Sequence, residues 1–176
     1  MKRVLLAIAA ATLVLGGTAT PAAAESGSVS DPSGDAPARI DITRLKVDND
    51  KRWFTMRVDV QDLRQKGIFH FHYWRGTSGV PMQSLIVVVK RIDGETRARF
   101  FACGFEDCRP ETCPRLRARW RSDTDFVRIS APQRCYPRPR TRPDAPPPAA
   151  GQFFVYSRLG KGAVDDHEEQ VELQRG

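Results

Sequence analysis

Apolar and polar residues alternate along several short segments of this chain. The clearest case lies between positions 53 and 60, where Phe54, Met56, Val58 and Val60 occupy every second position and polar residues separate them. Because successive side chains of a strand point to opposite faces, this pattern predicts a strand with one buried face. We expect these four side chains to lie in the core.

Seven other segments have the alternation or the β-branched and aromatic residues that are typical of strands. The eight predicted strands are residues 40–47, 53–60, 68–74, 84–92, 96–103, 116–121, 126–130 and 152–159. In the first, the apolar phase changes between Ile42 and Leu45, and a β-bulge at Thr43 or Arg44 would reconcile the two phases. About eight strands separated by turn residues, with no helical period after residue 24, predict an all-β antiparallel sandwich, jelly-roll-like or immunoglobulin-like.

The first 24 residues have the composition of a signal peptide. Lys2 and Arg3 precede an apolar run at 4–15, and Ala22-Ala23-Ala24 fits the small-residue cleavage rule. The run is shorter than the ~20 residues that span a bilayer. We therefore predict cleavage after Ala24 and a secreted protein without a transmembrane segment; an uncleaved N-terminal anchor is the alternative.

Residues 25–176 have the length of a single domain. Residues 136–151 are rich in proline and predict an irregular loop within that domain. Only one predicted strand and an acidic tail, 160–176, follow this loop, and we expect the tail to be loosely held.

All four cysteines follow the predicted signal peptide, at Cys103, Cys108, Cys113 and Cys135. An even number of cysteines in an exported chain indicates two disulfides, for which three pairings are possible. We favour Cys103–Cys108 and Cys113–Cys135, because the first pair brackets a tight turn. No C-x-x-C pair supports a zinc site.

The Asp31-x-x-Gly-Asp35 element and the nearby Asp41 place three carboxylates around a glycine turn. Carboxylate oxygens are the ligands of calcium, which takes six to eight oxygens. Asp165 and Asp166 in the tail are candidates to complete the shell. The alternative is that these residues only form turns, because Asp, Pro, Ser and Gly all favour turns.

The run from Asp31 to Val60 (DPSGDAPARIDITRLKVDNDKRWFTMRVDV) and the later ISAPQRCY resemble secreted β-sandwich proteins of high-GC Gram-positive bacteria. The first run is also similar to the opening of DOMON and carbohydrate-binding family 9 type sandwiches. The resemblance implies a sandwich and a calcium ion at this corner, as some of these domains have. The haem ligands and platform tryptophans of those families cannot be placed on this sequence, so it implies no activity.

The chain is basic, with a formal net charge of +7 that falls to +5 without Lys2 and Arg3. Arg115, Arg117, Arg119 and Arg121 occupy alternate positions, which predicts a stripe of guanidinium groups on one strand face. Such a stripe is typical of binding to an acidic polymer, such as a cell-envelope polysaccharide. Nucleic acid is not favoured, because no aromatic residue shares that phase. A solvated face that protects an edge strand is the alternative.

His70 and His72 are two residues apart, so both imidazoles share one face of a predicted strand. They could form half of a metal site, and a small metal-dependent enzyme is therefore one alternative function. No nucleophile elbow, P-loop, zinc-protease or dinucleotide motif occurs. We favour a secreted, non-catalytic binding module that is stabilised by calcium, with a structural envelope protein as the third hypothesis.

Overall fold

The computed structural model of the chain describes residues 25–75, 83–104, 107–136, 150–166 and 170–174. The predicted signal peptide, residues 1–24, and most of the Pro-rich loop lie outside these ranges. Within them, no helix has the length and apolar character that crossing a membrane requires.

The described residues form twelve strands and one short 3-10 turn, Gln133–Cys135. The strands are β1 Glu25–Ser30, β2 Ile42–Asn49, β3 Trp53–Val60, β4 Ile68–Arg75, β5 Gln83–Ile92, β6 Glu95–Cys103, β7 Cys108–Glu111, β8 Arg117–Arg121, β9 Phe126–Pro132, β10 Ala150–Arg158, β11 Val164–Asp166 and β12 Val171–Gln174. All eight predicted strands are present; 53–60 has the predicted bounds and each of the other seven has at least one shifted end. The count of about eight is too low, because β1, β7, β11 and β12 are short and mostly polar.

The strands form two antiparallel sheets that pack face to face, which confirms the predicted all-β sandwich. The five-stranded sheet has the order β1-β2-β3-β9-β8. The seven-stranded sheet has the order β11-β10-β4-β5-β6-β7, and β12 pairs with β10 as well. The predicted bulge is also present, because the β2–β3 register shifts between Ile42 and Arg44.

The core lies between the two sheets and is built from the inward phase of each strand. Phe54 and Met56 of β3 face Phe71 and Tyr73 of β4, and all four side chains are fully buried. The Phe54 and Tyr73 rings lie 5.0 Å apart between centroids, across the interface between the sheets. Burial of each such side chain stabilises the fold by roughly 1.5–3 kcal/mol.

The described parts of the acidic tail include two strands of the seven-stranded sheet, in contrast to the loose segment that we expected. β11 and β12 both pair with β10, and Val171 and Leu173 of β12 are buried. The two alternate with polar residues, so the period-two rule applies to this segment too. Both side chains approach Gly27 of β1, so the tail closes the sandwich on that side.

The two disulfides are Cys103–Cys108 and Cys113–Cys135, which is the pairing that we favoured. The first joins directly paired residues of β6 and β7. The second joins the β7–β8 connection to the 3-10 turn after β9.

Removal of the disulfide that closes the longer loop should destabilise the protein more than removal of the one that closes the shorter loop. The two bridges join residues that are 22 and 5 positions apart, and the chain-entropy model gives about 3.4 and 2.2 kcal/mol for loops of these sizes. We expect a larger fall in the free energy of unfolding for Cys113→Ser/Cys135→Ser than for Cys103→Ser/Cys108→Ser. Urea denaturation of the two variants measures the difference, and the reverse order would contradict it.

Gly151 in β10 should tolerate no side chain. A Cβ at this position would overlap the ring of Tyr73, which stacks on Phe153 at 4.2 Å between centroids. Overpacking of this kind costs about 1–3 kcal/mol. We expect Gly151→Ala to lower the melting temperature and Gly162→Ala to leave it nearly unchanged, because no atom lies within 4 Å of that Cβ. Equal melting temperatures for the two variants would contradict this account of the core.

Candidate functional site

Four carboxylates gather where the loop after β1 meets the hairpin of β10 and β11. We call this cluster, Asp31, Asp35, Asp41 and Asp165, the aspartate corner. Carboxylate oxygens of Asp31, Asp35 and Asp165 all lie within 4.8 Å of one another. The corner therefore joins residues that are more than 120 positions apart in sequence.

The loop at 31–41 folds back on itself and brings its acidic residues together. Gly34 has a φ of 99°, which favours glycine, and its N–H donates to Oδ2 of Asp41 at 2.7 Å. The N–H groups of Ile40 and Asp41 both donate to the carbonyl oxygen of Pro37, at 2.8 and 3.1 Å. These bonds hold Asp41 beneath the turn that carries Asp35.

Asp165 reaches the corner from the other sheet. Its Oδ2 accepts a hydrogen bond from the N–H of Ile42 at 2.5 Å. Beside it, the hydroxyl of Ser157 donates to the carbonyl oxygen of Ile40 at 2.6 Å. Ser157 pairs with Asp165 across β10 and β11, so these two bonds tie the start of β2 to the seven-stranded sheet.

The corner concentrates negative charge away from water. Asp41 is fully buried, and Asp165 is only 3% exposed. Within the described part of the chain, neither forms an ion pair with Lys or Arg, and Oδ1 of Asp41 has no hydrogen-bond partner. Burial raises the pKa of Asp165 to about 6; the Ile42 N–H opposes this shift, and Asp31, Asp35 and Asp41 add to it.

The donor set of the corner fits calcium. Ca²⁺–oxygen distances are about 2.3–2.6 Å, so oxygens on opposite sides of one ion lie about 5 Å apart. The three oxygens that lie within 4.8 Å of one another can therefore reach a single ion. An all-oxygen cage of several carboxylates favours calcium over magnesium, which usually keeps several waters and one or two carboxylates.

Of the four metal ligands that we predicted from the sequence, Asp31 and Asp35 belong to the group whose oxygens lie within 4.8 Å of one another, and Asp41 lies beside this group, bonded to the N–H of Gly34. The third member of the group is Asp165, the other tail residue that we considered. Asp166 ends β11 opposite Tyr156, and its side chain lies outside the described residues. The sequence alone does not show whether Asp165 or Asp166 faces the corner, because the register of their strand is unknown at that stage.

His70 and His72 share one face of β4, as their spacing predicted, and this is the outer face of the seven-stranded sheet, because Phe69, Phe71 and Tyr73 face the core. The His70 ring stacks on Tyr156 at 4.3 Å between centroids, and the His72 ring stacks on Phe154 at 4.5 Å. Burial lowers the pKa of both residues to about 4; Arg158 adds to the shift of His70, and His70 to that of His72. Within the described ranges, no third metal ligand gathers with them, and His167 lies outside these ranges.

The arginine stripe is shorter than predicted. Arg117, Arg119 and Arg121 project from the outer face of β8, which is an edge strand of the five-stranded sheet. Arg115 precedes the strand in a turn, with a φ of 73°, and is not part of the alternation. The stripe continues instead onto neighbouring strands, which the sequence pattern of one strand does not reveal.

Comparison with protein-family models, with curated proteins and with solved structures finds no match for this chain. The resemblance to DOMON and carbohydrate-binding sandwiches therefore stays a prediction, and the function is argued from the residues of this chain.

Asp165→Asn should stabilise the metal-free protein at neutral pH. The folded-state pKa of about 6 exceeds the unfolded value near 3.8, so ionisation of Asp165 disfavours the folded state as the pH rises. Melting in EDTA at about pH 7.5 should give a higher melting temperature for the variant. This gain in melting temperature should fade as the pH falls through 6. It should vanish below 3.8, where Asp165 is protonated in both the folded and the unfolded state.

Asp93→Asn is the matched control, because Asp93 lies in an exposed turn and its removal changes the net charge equally. A lower melting temperature for Asp165→Asn in EDTA at neutral pH would contradict the electrostatic account of the corner.

Proposed function

We propose that this chain is a secreted, non-catalytic binding module for an acidic polymer of the cell envelope, and that a calcium ion at the aspartate corner stabilises its fold. The observation that carries the calcium part is the burial of Asp41 and Asp165 beside two further carboxylates. Buried carboxylates without a cation are unfavourable, and a bound divalent cation would remove that cost.

Asp31, Asp35 and Asp165 would hold the ion through carboxylate oxygens. Asp41, which lies beneath the turn, would add a further negative charge close to the ion. Backbone carbonyls and water are the usual remaining ligands of calcium. The ion supplies positive charge and a link between segments, and no chemical step. Because Asp165 belongs to the seven-stranded sheet, and Asp31 and Asp35 lie between β1 and β2 of the five-stranded sheet, calcium would join the two layers at one corner.

Two observations support a binding module rather than an enzyme. The histidine pair is packed against aromatic rings without a third ligand in the described ranges. The five-stranded sheet, by contrast, presents the exposed Arg117, Arg119 and Arg128 on its outer face, beside the half-buried Arg57 and Lys46. Charges spread over several strands suit an extended ligand more than a small substrate.

Calcium should raise the melting temperature at neutral pH and much less in acid. Extracellular calcium modules have dissociation constants of about 10⁻⁴–10⁻³ M, so about 10 mM Ca²⁺ is roughly a ten- to hundredfold excess. That excess stabilises the folded state by about 1.4–2.7 kcal/mol, or roughly 3–10 °C for a domain of this size. At about pH 5 the shift should shrink, because protons compete with calcium for Asp165, whose pKa is about 6.

Differential scanning fluorimetry with Ca²⁺, with Mg²⁺ at the same ionic strength and with EDTA measures these shifts. Asp165→Asn should lose most of the calcium shift, and Asp93→Asn should retain it. An unchanged melting temperature of the parent protein in about 10 mM Ca²⁺ at neutral pH would remove calcium from the proposal.

A further inference from the structure

A row of basic side chains crosses the outer face of the five-stranded sheet at right angles to its strands. The register pairs Arg119 with Arg128, Arg128 with Arg57, and Arg57 with Lys46, on β8, β9, β3 and β2 in turn. Adjacent strands lie about 4.8 Å apart, so the four backbone positions span roughly 14 Å. These residues come from four separate parts of the sequence.

The charges of this row are balanced at one end and unbalanced at the other. Asp59 lies 2.7 Å from Arg57 and 3.3 Å from Lys46, and it also approaches Arg44 at 3.7 Å. At the β8–β9 end, no carboxylate of the described residues pairs with Arg117, Arg119 or Arg128, and all three are exposed. We call these three residues the arginine triad.

The arrangement of the triad has a cost in the isolated protein. Like charges directly opposite each other on paired strands are destabilising. Arg119 faces Arg128 in this way, and Arg128 faces Arg57 on its other side. Arg119, Arg128 and Arg57 therefore lie in one row, and Asp59 pairs only with the Arg57 end. The other end, where the triad lies, favours a bound anion.

The aromatic rings beside the triad are already in contact with arginine. The guanidinium of Arg57 lies 4.0 Å from the centre of the Phe126 ring, and that of Arg117 lies 5.9 Å from the Trp53 ring. Stacking on aromatic rings is the main way in which proteins hold single-stranded bases. With Phe126 covered by Arg57, this face suits an anion that has no base to stack.

We propose that the arginine triad, Arg117, Arg119 and Arg128, binds the phosphate groups of an extended phosphodiester polymer without bases, such as a poly(glycerol phosphate). This inference rests on the proposal that the chain is a binding module, and it is independent of calcium. The guanidinium fork grips phosphate oxygens in pairs, and a diester keeps its charge at every physiological pH.

The spacing of the triad suits a repeating ligand. Arg119 and Arg128 face each other across adjacent strands, about 5 Å apart at Cβ. Arg117 lies two residues along β8 from Arg119, a further 6.8 Å or so. One chain of phosphates can therefore meet more than one guanidinium, and each contact adds affinity that salt weakens.

The experiment measures binding of poly(glycerol phosphate) to the purified protein by isothermal titration calorimetry at low and at high salt. The test variant is Arg119→Gln/Arg128→Gln. The control is Arg97→Gln/Arg109→Gln, which removes the same charge from the other sheet, where the two side chains pair with Glu95 and Asp107. Polyglutamate and oligothymidylate serve as polymers with other anionic groups.

We expect the test variant to bind poly(glycerol phosphate) at least tenfold more weakly and the control to stay within about twofold. The slope of log affinity against log salt should fall by about 1.4 in the test variant, since each lost phosphate contact removes about 0.7. The test variant should also melt at the same or a higher temperature, because it removes a like-charge pair. A fall in its melting temperature with unchanged affinity would overturn the proposal.

Equal weakening in both double variants would overturn the assignment to this face, because net charge alone would then explain binding. Tighter binding of polyglutamate or of oligothymidylate would overturn the phosphodiester class. The titrations are repeated in Ca²⁺ and in EDTA with the parent protein. Retained binding of poly(glycerol phosphate) by a parent protein that shows no calcium shift in melting contradicts only the calcium proposal. Absent binding of poly(glycerol phosphate) with retained binding of polyglutamate contradicts only the triad, and absent binding of all three polymers contradicts the binding module as well.

Discussion

Burial of apolar side chains between two sheets is the constraint on which the other features depend. Each strand exposes one face to water, so neither sheet is stable until its inner face is covered by the other. Contact between Phe54 of one sheet and Tyr73 of the other fixes this pairing at the centre. The packing leaves no room for a Cβ at Gly151, and it holds the backbone positions of both outer faces and of the aspartate corner.

In the aspartate corner, this packing keeps several carboxylates close together. Because Ile42 and Ser157 are held by their strands, Asp41 and Asp165 are buried near two further carboxylates. A flexible loop would relieve the repulsion by moving apart. In a packed sandwich, protonation relieves it, which couples the stability of the fold to pH; a cation would do the same, which is the basis of the calcium proposal.

Strand pairing likewise brings like charges together in the arginine triad, on the outer face of the five-stranded sheet. Strand register places Arg119 opposite Arg128 and Arg128 opposite Arg57, and the backbone positions of this row cannot change unless the strand pairing breaks. Asp59 compensates the charges of one end only. The corner and the triad thus have opposite charges and lie on different parts of the sandwich, so the ligand proposed for each can be tested separately.

The sequence by itself determined the properties that depend on neighbouring residues. Alternation in β3, the bulge near Thr43 and the shared face of His70 and His72 all follow from the period of two in extended chains. Tertiary structure alone decided which strands lie side by side, because pairing depends on how the inner faces of both sheets fit together. That fit brought Asp165 to the corner and aligned Arg128 with Arg119, and it gave the short segments β11 and β12 a partner in β10.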